Sequence, residues 1–136
     1  MGLESIGAGI KTRLETISGL RAFAPDELPD SINSFPTAVI LPGETVYQSA
    51  FDADTSYNFR IILLMTKQDQ PSALENMLDY LEPTGTKSVK AAIIADKTLN
   101  SSADTCIVIS NSGIGSTTWA GSVYLSSEWS IKAWAA

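Results

Sequence analysis

The stretch "VYLSSEWSIKAWA" alternates in a way that only one kind of backbone tolerates. Val123, Leu125, Trp129, Ile131 and Ala133 occupy odd positions, and Tyr124, Ser126, Glu128, Ser130 and Lys132 fall between them. Successive side chains of a strand point to opposite faces, so this period of two specifies a long strand over 119–134 with one buried and one wet face. A half-wet strand of that length calls for antiparallel neighbours. "DTCIVIS", 104–110, supplies one, and "NSGIGST", 111–117, reads as the flexible Gly-rich hairpin tip between them. Ile114 at that tip is an exposed apolar residue of the kind that touches a partner.

The rest of the chain adds strands and helices around this hairpin. "YNFRIILLMT", 57–66, places Tyr57, Phe59, Ile61, Leu63 and Met65 on one face, with Ile62 and Leu64 asking for partial cover on the other. "TAVILPG", 37–43, reads as a short buried strand ending in a turn, and "ETVYQSAFDADTS" as a hairpin or exposed loop. Leu3, Ile6, Ile10, Leu14 and Ile17 recur at helical spacing over 3–18, and Gly19 offers a left-handed stop. Gly7 and Gly9 are read as a frayed first turn in preference to close packing on a neighbour. Pro25, Pro29 and Pro36 make 21–36 an extended, semi-rigid connection. Pro71 suits the first position of a helix whose stripe is Leu74, Met77, Leu78 and Leu81. After Pro83, a second helix over 86–96 aligns Val89, Ala92 and Ile93, with Thr86 or Ser88 as cap. These elements predict one α+β domain over 1–136, a mainly antiparallel or mixed sheet with helices packed on one face.

Composition removes several function classes. The chain has no histidine, which takes away the usual general base, the commonest zinc and iron ligand and the physiological-pH switch. One cysteine, Cys106, excludes an internal disulfide and a thiolate-rich zinc site, and its apolar surroundings point to packing. Fifteen acidic against nine basic residues leave a net charge of −6, and the cations are scattered singly, so no basic patch for nucleic acid is visible. The longest apolar runs fall far short of the ~20 residues of a membrane span. The N-terminus lacks the regions of a secretory signal, and Ile6 breaks the myristoylation pattern, which makes the cytoplasm the default compartment.

Three stretches imitate chemical motifs without meeting their requirements. In "EPTGTKS", Thr86 separates Gly85 from Lys87, Tyr80 stands where the first glycine of a phosphate loop belongs, and a helix precedes instead of a strand. A helix–helix corner explains every residue there. "DADTSYN" begins like a calcium loop through Asp52, Asp54 and Ser56, but Tyr57 and Leu63 replace the required glycine and glutamate. "NSGIGST" lacks the dinucleotide fingerprint. Trp119, Trp129 and Trp134, without basic neighbours, fit core or interface packing better than base stacking.

Taken in order, "IKTRLETISGLRAF", "LPDSINSFPTAVILPG", "YNFRIILLM", "LDYLEPTGTKSVKAAIIADKTLN" and "VYLSSEWSIKAWA" resemble the tail terminator (tail completion) proteins of long-tailed bacteriophages, similar to the lambda-type terminator. The resemblance covers nearly the whole chain and contains no catalytic signature. It implies a subunit that joins copies of itself in a hexameric ring. That ring caps the tail tube, stops its polymerisation and offers a surface to the head–tail connector protein, while DNA passes through the hole without specific binding. It places the protein in the virion after synthesis in the host cytoplasm, with no membrane partner and no cofactor. No catalytic, cofactor or metal residue is assigned. An acidic subunit would let DNA slide, which makes Glu44, Asp52 and Asp54 candidates for the lumen or a tube contact. Tyr47 and Phe51 beside them are candidates for a ring or tube interface. A head–tail connector or stopper is the alternative within the same class. A carboxylate-dependent metalloenzyme using Asp52, Asp54 or Asp96 is the alternative from a different one.

Overall fold

Alternation in the C-terminal half builds the centre of the molecule. The computed structural model describes residues 3–28, 36–47, 55–67, 72–99, 101–119 and 121–135. Its strands are β1 (Arg21–Phe23), β2 (Thr37–Val46), β3 (Thr55–Lys67), β4 (Thr105–Trp119) and β5 (Ser122–Ala135), and its helices α1 (Leu3–Leu14), α2 (Ser72–Leu81) and α3 (Val89–Ile94). The strands form one mixed sheet in the order β1-β2-β3-β5-β4. β1 runs parallel to β2, and every other pairing is antiparallel. The fold class expected from the sequence is therefore the one found.

The helices lie on one face, and the core lies between them and the sheet. Ile6, Ile10 and Leu14 of α1, Met77 and Tyr80 of α2, and Val89 and Ile93 of α3 meet alternate sheet residues: Ala38 and Ile40, then Phe59, Ile61, Leu63 and Met65, then Trp129, Ile131 and Ala133. Burying each of the larger side chains contributes about 1.5–3 kcal/mol before entropy is subtracted. The opposite face carries a smaller cluster of Val39, Ile62, Leu64 and Tyr124, flanked by Phe23, Leu41 and Trp119. This is the partial cover that Ile62 and Leu64 required.

Four local expectations are corrected. First, "NSGIGST" is not a hairpin tip. β4 runs unbroken through it, and the chain turns between Trp119 and Ser122, which pair directly; Gly121 takes φ +83° there. The Gly- and Ser-rich stretch instead accommodates a β-bulge between Asn111 and Ile114, and another lies just before it at Ile109. Gly113, at φ +83°, sits in the bulge between Asn111 and Ile114. Second, Gly7 and Gly9 are not a frayed turn. A Cβ on Gly7 would stand 2.6 Å from Cδ of Pro25, and one on Gly9 would stand 2.2 Å from the carbonyl oxygen of Leu99. The glycines let α1 approach both segments. Third, the proline-bearing connection contains β1 and a 3-10 turn at Pro25–Glu27, so it joins the sheet; residues 29–35 lie outside the described residues. Fourth, Leu78 is not part of the buried stripe of α2. Tyr80 takes an inward position beside Met77, and Leu78 is 50% exposed.

Candidate assembly surface

The corner "EPTGTKS" shows how the helices are held against the sheet. Gly85 adopts φ +117°, open to glycine and strained for other residues. Ser88 is the N-cap of α3: its hydroxyl accepts from the Ala91 N–H at 3.1 Å and donates to the Glu82 carbonyl at 2.5 Å. One side chain therefore ties the end of α2 to the start of α3, while Lys87 points away exposed. Of the two capping candidates, Ser88 has the role.

The residues singled out for assembly do not converge. Glu44 is exposed where β2 bulges between Pro42 and Thr45, and its carbonyl accepts a hydrogen bond from Asn58 at 2.7 Å. Tyr47, just past β2, is 78% exposed. Ile114 is not at a tip. It pairs with Ser127 inside β4 and is 38% exposed. Val46 is level with Ser56 of β3 and Ile114 with Leu63, through Ser127, so Tyr47 and Ile114 stand roughly 30 Å apart across the sheet. Phe51, Asp52 and Asp54 lie outside the described residues.

Register assembles a different surface on the sheet face away from the helices. Val46, Ser56, Trp134 and Thr105 form one cross-strand row, and Asn58, Lys132 and Ile107 form the next. Arg60 follows, and its Nε and Nη2 both donate to Oε1 of Glu128, at 3.0 and 2.6 Å. The Lys132 ammonium lies 5.4 Å from the centre of the Trp134 ring, and the Arg21 guanidinium 5.0 Å from that of Phe23. Ile107 is 46% exposed in its row, while the bulged Ile109, 52% exposed, borders a recess with Leu81, Pro83 and Lys90 at the sheet's edge. This face thus sets Arg60 and the Trp134 ring, residue types enriched at protein interfaces, near the bare side chain of Ile107 and the cation of Lys132. Its members were visible only as even positions of β5; their mates on β3 and β4 are given by register, which no sequence motif announces.

The chemistry available elsewhere is limited. Thr117 and Ser126 hydrogen-bond to each other at 2.7 Å beside the Arg60–Glu128 pair, so the hydroxyls of this recess are tied to one another. Asp96 accepts from the N–H and hydroxyl of Thr98, at 3.2 and 2.6 Å, as the cap of a tight turn. Cys106 is buried; burial, reinforced by Asp96, pushes its thiol up to about 11. Among the described residues, no group of three His, Cys, Asp or Glu side chains could hold a metal ion, and no helix is long and apolar enough to cross a membrane.

Comparison of the sequence with family models and with curated proteins returns no match.

Proposed function

We propose that this chain is a structural subunit of a bacteriophage tail that joins copies of itself in a ring, caps the tail tube and ends its growth. The observation that carries this reading is the bare surface on the sheet: Ile107 stands exposed opposite Lys132 and one row from Trp134, on the edge strand β4. Scattered exposed leucines need no explanation, but a cluster of aliphatic, aromatic and cationic groups on one face is what an assembling subunit presents. The order of segments that resembles tail terminators gives that assembly its identity.

Electron micrographs of the purified protein, with and without tail tubes, test the proposal. Six-fold rings seated on tube ends are the expected result, and persistent monomers that leave tube ends bare would end it. Phage lacking the chain separates the alternative within the class. Overlong tails are expected of a terminator, whereas normal tails beside unjoined heads would make it a connector.

A further inference from the structure

We propose that copies of this chain join head to tail, with the open sheet face of one receiving the exposed side of α2 from the next. The inference rests on the ring reading and names the two surfaces that would build it.

Each surface carries a bare aliphatic group beside charge of opposite sign that no ion pair of the described residues uses: Lys132 on one, Asp79 and Glu82 on the other. On the sheet side, Lys132 stands opposite Ile107, and Arg60, two strands from Ile107, holds the carboxylate of Glu128. Glu44, at the β2 bulge, stands two strands from Lys132, roughly 10 Å away. The Glu128 carboxylate neutralises Arg60, which leaves Lys132 as the cation beside Ile107 that neither ion pair of the described residues uses. On the helix side, Leu78, Asp79 and Glu82 are all exposed at the C-terminal end of α2, with Lys87 in the same recess. Asp79 and Glu82, the latter just past the helix end, line one recess, and the exposed Leu78 directly precedes Asp79. Among the described residues, the ion pairs are Lys11–Glu27 and Arg60–Glu128, and neither uses Asp79 or Glu82.

Neither surface suits a copy of itself. Two sheet faces brought together would oppose Lys132 to Lys132, and two α2 surfaces would oppose carboxylates, which disfavours a two-fold dimer through either patch. Sheet face against α2 satisfies both. Such a contact uses different patches on the two partners, so it repeats from copy to copy and either closes into a ring or runs on as a filament. An isoleucine at the centre with charges at the rim also follows the usual division between a dry core and a wet margin.

A charge-swap series tests the contact on the full-length chain. One variant carries Lys132→Glu, a second carries Asp79→Lys with Glu82→Lys, and a third carries all three changes. Circular dichroism establishes that each is folded, and sedimentation with and without tail tubes reads assembly. The first two variants are expected to associate on the order of tenfold more weakly than the unaltered chain, and the third to recover most of that loss, because opposite charges again face each other. Rings that persist in both of the first two variants would overturn this interface and leave the ring reading standing. A Lys132→Glu chain that still forms rings but no longer caps tubes would assign the sheet face to the tube protein, and would equally overturn it. An unaltered chain that stays monomeric even with tubes would remove the ring reading and this inference together.

Discussion

At Gly9 two residue-level effects oppose each other, and their sizes decide the sign. Alanine is favoured over glycine inside a helix by about 1 kcal/mol, so Gly9→Ala would stabilise an isolated α1. In the folded chain the added methyl would stand 2.2 Å from a backbone carbonyl, that of Leu99, which is itself held at φ +51° and has little room to yield. Overpacking of this kind costs about 1–3 kcal/mol or more. Gly9→Ala is therefore expected to lower stability by roughly 1–2 kcal/mol in urea titrations despite its better propensity. A gain in stability would mean the helix does not approach Leu99. Cys106 gives a second test at this scale. Its thiol titrates at about 11 in the folded protein, above the 9.0 of a free thiol. The folded state thus holds the proton where the unfolded chain has lost it, so this contribution is complete below about pH 9 and disappears as pH rises through about 11. The fall in urea midpoint across that window should be shallower in Cys106→Ala than in the parent chain. Equal slopes would place the thiol in water.

At the scale of elements, the second bulge of β4 has its own fastening. The Asn111 amide donates to Ser127 Oγ at 2.8 Å and to the Glu128 carbonyl at 3.2 Å, and its Oδ1 accepts from the Gly113 N–H at 2.7 Å. The Ser127 hydroxyl donates to the Gly113 carbonyl at 2.7 Å. Side chains thus satisfy backbone groups that the extra residue takes out of the ladder. Asn111→Ala should cost about 1–3 kcal/mol and remove hydrogen-exchange protection from the Gly113 amide while sparing Cys106 and Val108. Unchanged protection at Gly113 would refute the fastening. The same stretch explains why the sequence misleads there. Asn, Ser and Gly mark tight turns and bulges alike, because both need left-handed backbone and local side-chain hydrogen bonds. β3 and β5 were legible because their period of two extends over many residues. β1 was not, because three residues ahead of a proline-bearing stretch carry too little pattern to register.

For the molecule as a whole, the division of the sheet into a helix-covered face and an open one was readable from alternation alone. The faces of β3 and β5 and the apolar stripe of α1 together demand one main core. The surface proposed for assembly was not readable. Arg60 and Glu128 are 68 residues apart, and Ile107 meets Lys132 only through the pairing of two strands. The acidic stretch with Glu44, Asp52 and Asp54 owes its prominence to local composition, whereas a patch built across strands has none. The bulges of β4 also govern what this edge strand does in a crowd of copies. Each inserted residue shifts the register by one, so the unpaired outer rim is cut into short runs, Thr105–Val108 below and Ile114–Trp119 above. A second strand laid along the rim would fall out of step after a few hydrogen bonds. Copies at high local concentration are thus guarded against zipping edge to edge into amyloid-like fibres, while the broad faces stay free to meet.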